Sequence, residues 1–280
     1  MLVVARVRLT RPSNCPGAEL KKMTAEFEKT FRVAPAARQS GDTYIQYWQL
    51  WHHNWDDADI ACILKNCSVN GKRVLEVGCG DGRVAFSLAS FCQELEAIDL
   101  DPRLIDIAEE RLNNGISANL RFAVMDAQKL AFANETFDVV LFPWVLQMIQ
   151  NPFLAIQEAF RVLKEQGELL VIGLRSDADY DKIIAHFVPN MPAIDPIIAY
   201  EKPILSQFRA KLDLATQQFS YFFETKEIAV DAFAFAINRW YSTELKSKDQ
   251  KKLVRIIDHY QDGERVRIIF PANIYRVVKP

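Results

Sequence analysis

Between residues 72 and 175, short apolar runs alternate with segments whose apolar residues recur every three or four positions. Short runs bounded by turn residues read as strands, and the spaced segments read as helices. KRVLEV (72–77), LEAI (95–98), residues 121–124, FDVVLF (137–142) and ELLVIGL (168–174) are the strand candidates. Ala85, Leu88 and Phe91 mark a first helix, and Leu104, Ile107, Ala108 and Leu112 a second. Phe153, Ile156, Phe160 and Leu163 mark a third, which Gly167 is expected to stop. Asp101-Pro102 and Asn151-Pro152 each pair an N-cap side chain with proline at the first helical position. FDVVLF is nearly all apolar, as a strand covered on both faces should be. This alternation predicts parallel strands joined by right-handed crossovers. The fold class is α/β, an open doubly wound sheet, which binds ligands beyond the carboxyl ends of its strands.

The flanks are less regular. Tyr44, Trp48, Trp51 and Trp55 share one helical face ahead of the first strand. That stripe either packs against the sheet or lies over a ligand as a lid. Residues 175–214 hold four prolines, Pro189, Pro192, Pro196 and Pro203, and read as a partly helical insertion before the last two strands. Phe219, Tyr221 and Phe223 alternate as a sixth strand, 226–241 and 248–259 read as helices, and 266–278 returns as a seventh strand. The organisation expected is a tail (1–40), a helical lid (41–70), a ligand-binding core (71–175), and a substrate-side insertion with the last helices and strands (176–280). Residues 1–22 hold five basic residues and one acid, broken by Pro12, Pro16 and Gly17. They read as a loose tail or as a start upstream of Met23, with a transit peptide as the other reading.

Composition narrows the function. The chain has 280 residues and a net charge of -2, which gives no broad electrostatic footprint for nucleic acid or anionic membrane. No run of 18 apolar residues predicts a membrane span. Five cysteines without paired spacing do not form a disulfide framework, and four histidines with no CxxC or HExxH do not form a zinc site. A reducing, cytoplasmic setting follows from the cysteine usage.

The chemistry sits in the first strand-to-helix turn. Gly78, Gly80 and Gly82 stand two apart at the end of strand 72–77. Glycines there allow a sharp turn and close approach of a ligand, and the following helix offers free N–H groups to it. The dinucleotide fingerprint G-x-G-x-x-G would need glycine where Arg83 stands, which disfavours a nicotinamide dehydrogenase. Asp99 lies 21 residues beyond Gly78 and ends the second strand, where a carboxylate accepts both hydroxyls of a ribose. Asp101 is better placed as the helix cap. Asp126, at the end of the third strand, reads either as a turn residue or as an acceptor for an adenine amino group, with the Ala127 N–H meeting a ring nitrogen.

VLEVGCGDGR (74–83), EAIDLDP (96–102), MDA (125–127), FDVVLFPWVLQMI (137–149) and RVLKEQGELLVI (161–172) together resemble the successive motifs of class I S-adenosylmethionine-dependent methyltransferases, most closely the small-molecule "type 11" group. The resemblance implies a seven-stranded Rossmann-like methyltransferase sheet with a helical N-terminal lid and an insertion after strand five. It implies that Glu76, Gly78, Cys79, Gly80 and Gly82 hold the methionine part of the cofactor. By the same carry-over Asp99 binds ribose, Leu100 packs on adenine, Asp126 and Ala127 read its edge, and the Phe142 carbonyl meets the amino group. The sequence departs from the family in one place that matters for catalysis. Leu146-Gln147-Met148 replaces a frequent aromatic–histidine pair, so no histidine base stands there. FPWV also lacks the Asn/Asp-Pro-Pro-Tyr/Phe run of exocyclic-amine methylases, and neither a paired-glutamate loop nor an Asp-Asp-Asn metal set is present.

The expectation is methyl transfer from S-adenosyl-L-methionine to an O, N or C atom of a small organic molecule. Tyr44 is expected to face the cofactor, and Tyr47, Trp51 and Trp144 the acceptor. His52 and His53 are the candidate general bases, although their place beside a helix end favours the surface. Two rival readings are a cofactor-binding regulatory or scaffold module without turnover and a methyltransferase acting on a protein.

Overall fold

The computed structural model describes residues 5–6, 45–46, 49–51, 57–113, 118–175, 177–188 and 211–280. The expectations placed on Tyr44, Tyr47, Trp48, His52, His53 and Trp55 lie outside these residues.

The strands are β1 (Ala5–Arg6), β2 (Arg73–Val77), β3 (Glu94–Asp99), β4 (Leu120–Val124), β5 (Phe137–Pro143), β6 (Leu163–Leu174), β7 (Lys211–Phe223), β8 (Gln261–Asp262) and β9 (Arg265–Val278). They form one nine-stranded sheet in the order β1-β7-β9-β6-β5-β2-β3-β4, with β8 paired to β9. The pairs from β6 through β4 are parallel, while β9 runs antiparallel to both β6 and β7. The seven long strands are the seven read from the sequence. The helices with full bounds are α1 (Ala58–Asn66), α2 (Arg83–Ala89), α3 (Pro102–Asn113), α4 (Pro152–Val162), α5 (Asp179–Ala185), α6 (Lys226–Phe235) and α7 (Ser247–Asp258).

Local chemistry sets several of these boundaries. Asn151 accepts the Leu154 N–H at 3.2 Å and Pro152 opens α4, so the cap reads as expected. Asp101 accepts the Arg103 N–H at 3.0 Å ahead of α3. Three expectations are corrected. Phe91 lies beyond α2, which ends at Ala89, and is 41% exposed. Gly167 does not stop α4, because Leu163 is already extended; the glycine lies inside β6, where a Cβ would sit 2.8 Å from the Lys164 carbonyl oxygen. Residues 211–214, assigned to the insertion, are strand, because β9 is long enough to pair with β7 back to Lys211. In the tail, Ala5 and Arg6 pair with Leu214 and Asp213, so that segment contributes an edge strand.

One face of the sheet packs Leu75, Val77, Val140 and Phe142 against Phe153, Ile156 and Phe160 of α4. The other packs Val74, Leu95, Ala97 and Leu141 against α1, α2 and α3 through Ile63, Leu88 and Ile105. A third cluster joins α5, α6 and α7 to β7 and β9. Strand β2 lies between β3 and β5, where the order reverses, and a crevice beyond its carboxyl end is the expected ligand position in such a sheet. Among the described residues no helix is long and apolar enough to cross a membrane.

Candidate functional site

Residues 78–82 turn sharply at the end of β2. Gly78, Gly80 and Gly82 all have positive φ (72°, 57° and 86°), the region where a side chain strains the backbone. At Gly78 the constraint is also steric, because a Cβ would overlap the Val145 side chain, with Val145 Cβ 2.6 Å away. At Gly82 a Cβ would meet the Phe122 ring at 2.6 Å. The turn is tied to β3 through Gly78 N–H and Cys79 N–H, which both donate to the Ile98 carbonyl at 2.7 and 3.0 Å.

Asp99 ends β3 and joins this turn. Its Oδ2 accepts the Gly80 N–H at 2.9 Å and its Oδ1 accepts the Asp101 N–H at 3.0 Å. Its carboxyl is pushed up by burial, opposed by these backbone donors. The sequence reading left Asp99 free for a ligand; the structure gives each oxygen one backbone donor, and each keeps further acceptor capacity. Leu100, the next residue, is 69% exposed, so an apolar surface stands open beside the carboxylate.

Glu76 lies under the turn, on the β2 face that α2 covers. It is 1% exposed, and its Oε2 meets no hydrogen-bond partner among the described residues. Burial pushes its carboxyl up to about 8, helped by the charges of Asp59, Asp99 and Asp81 and opposed by Arg83. Asp59 and Asp81 are paired with Arg83 and Arg111, which leaves Asp99 and Glu76 as the carboxyl groups here without a guanidinium partner among the described residues.

Two ion pairs brace the site. Arg83, at the start of α2, donates to both oxygens of Asp59 in α1, and Trp144 Nε1 donates to Asp59 Oδ2 at 3.0 Å. Arg111 of α3 pairs with the buried Asp81 inside the turn and also donates to its carbonyl at 3.0 Å. Trp144 follows β5 with a φ of 61° and stands edge-on to Phe219, centroids 4.9 Å apart. A non-glycine residue in that region is held there by its surroundings. Sequence reasoning missed Asp59, Asp81, Arg111 and Val145. Only Asp81, inside the glycine turn, carried a local signal.

Of the remaining expected site residues, Cys79 and Phe142 are buried and Ala127 nearly so. Asp126 accepts the Gln128 N–H at 2.8 Å, as a turn residue does, beside β4. Trp51 packs its ring against Tyr180, Tyr221, Phe223 and Phe233 at centroid distances of 5.0–5.5 Å, the contacts of the packing alternative.

Residues 75–171 match the family model described as a methyltransferase domain. Over these residues the chain is similar to a methyltransferase domain. This region contains Glu76, the glycine turn, Asp99 and Asp126, and its fold is the one that resemblance predicted. The chain is 36% identical over 109 residues to a sterol 4-C-methyltransferase of Caenorhabditis elegans, covering 39% of this chain and 33% of that protein. It is 30% identical over 179 residues to a ubiquinone/menaquinone biosynthesis C-methyltransferase of Rhizobium etli, covering 62% of this chain and 64% of that protein. The matched region therefore spans a third of the first relative and under two thirds of the second. The fold of this region and its flanks is similar to the crystal structure of YcgJ from Bacillus subtilis, with a TM-score of 0.57 at 17% identity, covering 79% of this chain and 98% of that one.

Proposed function

We propose that this chain transfers a methyl group from S-adenosyl-L-methionine to an O, N or C atom of a small organic molecule. The observation that carries the reading is the buried Glu76, whose Oε2 meets no hydrogen-bond partner among the described residues, beneath a three-glycine turn inside the methyltransferase match. The residues suit that cofactor. Glu76 offers an oxygen that a donor would satisfy, and Asp99 keeps lone pairs for ribose hydroxyls. Leu100 is an open apolar face for a purine, and the acid-rich surroundings suit a cation. Gly78, Cys79, Gly80 and Gly82 would shape the methionine end, Asp126 and Ala127 the adenine edge, and the Phe142 carbonyl the amino group.

When bound, the cofactor supplies a methyl carbon activated by its positive sulfur. The chain's own residues position and enclose. The Asp59–Arg83–Trp144 set fixes α1, the turn helix and the end of β5 against each other, so that the acceptor side of the crevice keeps one shape. Positioning of this kind contributes up to ~7–11 kcal/mol. A general base adds about 10²–10⁴-fold for an oxygen acceptor; His52 and His53 remain our candidates, with Tyr44, Tyr47, Trp51 and Trp144 toward the ligands. The similarity to a sterol 4-C-methyltransferase and to a C-methyltransferase of ubiquinone/menaquinone biosynthesis supports a small-molecule acceptor, and the net charge of -2 gives no footprint for nucleic acid. Among the described residues Cys62, Cys67, Cys79 and Cys92 are free and buried, which supports a reducing, cytoplasmic setting.

The test is calorimetric titration with S-adenosylhomocysteine, followed by an acceptor screen that detects the demethylated cofactor. Micromolar binding and turnover are expected. Absence of binding overturns the reading; binding without turnover on any acceptor favours the regulatory module.

A further inference from the structure

Helix α5 follows β6 past its carboxyl end, and β6 is hydrogen-bonded to β5, whose carboxyl end carries Pro143 and Trp144. Trp144 packs against the core face that holds α2 and also against the aromatic cluster around α5. This places α5 on the same edge of the sheet as the glycine turn.

Residues 177–181 contain three aspartates with different fates. Asp177 takes the Arg175 guanidinium at 2.8 Å. Asp179 takes Lys182 at 3.0 Å and the Ile269 N–H at 2.9 Å. Both neighbouring cations are thereby committed. Asp181 is 5% exposed, and among the described residues neither of its oxygens has a hydrogen-bond partner. Burial pushes its carboxyl up to about 7, with the charge of Asp177 adding and Lys182 opposing.

The surroundings are aromatic and hydroxylated. Tyr180, the preceding residue, stacks edge-on with Trp51 at 5.2 Å, and its side chain hydrogen-bonds Tyr241, a residue whose hydroxyl feels the charge of Asp181. A buried carboxylate with no cation or donor is costly, and native folds retain few such groups without a use. Carboxylate oxygens only accept hydrogen bonds, and ring faces attract cations. A neutral hydroxyl would fill the oxygens but leave the charge uncompensated; an ammonium does both.

Building on the methyltransferase reading, we propose that Asp181 anchors a protonated amine of the methyl acceptor, beside the Tyr180–Tyr241 hydroxyl pair. The ammonium is a handle and not the nucleophile, because a protonated nitrogen has no lone pair to attack with. Asp181 is thus a specificity-determining residue, selecting small organic cations over their uncharged counterparts.

The probes are phenethylamine and 2-phenylethanol, which share ring and chain and differ in charge, titrated by calorimetry without cofactor. Wild-type protein is expected to bind the amine at least about tenfold more tightly than the alcohol. Asp181→Asn is expected to remove that preference while raising Tm by about 2–4 °C, because the uncompensated charge is gone; Asp181→Leu gives the same rise without a polar side chain. Equal or undetectable binding of the two probes, an intact preference in Asp181→Asn, or a fall in Tm in both variants overturns the assignment, the last by giving Asp181 a structural role. Failure of the wild-type protein to bind S-adenosylhomocysteine fails the methyltransferase reading instead, and the two titrations are separate.

Discussion

The Gly80 N–H donates to Asp99 Oδ2 at 2.9 Å, so the acid that ends one strand holds the turn that ends its neighbour. Ligand recognition and turn geometry therefore share one side chain. Asp99→Ala is expected to lower S-adenosylhomocysteine affinity by about ten- to a hundredfold, the size of a lost charged hydrogen bond. Asp99→Asn is expected to fall between, since its amide keeps one acceptor oxygen but turns N–H groups toward a second backbone donor. Calorimetry on the three proteins checks this, and unchanged affinity in Asp99→Ala would remove the ribose role.

Gly78 is constrained twice, by its φ of 72° and by Val145 standing where a Cβ would go. Gly78→Ala is expected to destabilise by about 1–3 kcal/mol and to abolish cofactor binding. Adding Val145→Ala relieves the overlap but not the φ strain, so thermal melts should show partial recovery of stability.

Asp59 is 1% exposed and serves both Arg83 and Trp144. Asp59→Ala takes from a largely buried guanidinium its hydrogen-bonded carboxylate and leaves it the exposed Asp57 at 3.9 Å, and a loss of about 3 kcal/mol is expected in denaturant unfolding. Trp144→Phe removes only the indole donor and should cost about 0.5–1.5 kcal/mol. A double-mutant cycle between the two positions should be non-additive by at least about 0.5 kcal/mol; additivity would separate Trp144 from the brace.

Glu76 has a folded-state pKa raised by burial from 4.5 to about 8. Between those values the folded protein keeps a proton that the unfolded chain has released. Its contribution to stability is therefore full below about pH 4.5 and is lost as pH rises through about 8. Glu76→Gln is expected to flatten that part of the stability profile of the cofactor-free protein, measured as Tm against pH relative to wild type. An unchanged slope would remove Glu76 as its source.

Much of the fold is legible in the chain because its signals are local. Strand β5 announces itself by its apolar run, α4 by Asn151-Pro152, and the turn by glycines whose φ values confirm their use. The errors arise where pairing overrides local pattern. Gly167 reads as a helix stop, yet neighbouring strands draw residues 163–174 into one extended strand. Residues 211–214 alternate polar and apolar over only four positions, too few to mark a strand alone, and gain partners from β9.

The sequence alone determined the parallel core, its glycine turn and the carboxylate 21 residues further on, because periodicity and turn chemistry act over a few residues. Only the tertiary structure decided that Asp59 meets a tryptophan 85 residues away, that Val145 covers Gly78, and that the Asp181 oxygens meet no hydrogen-bond partner among the described residues. Those outcomes depend on which helix packs where, and on how burial removes water from a charge whose nearest cations already hold other partners.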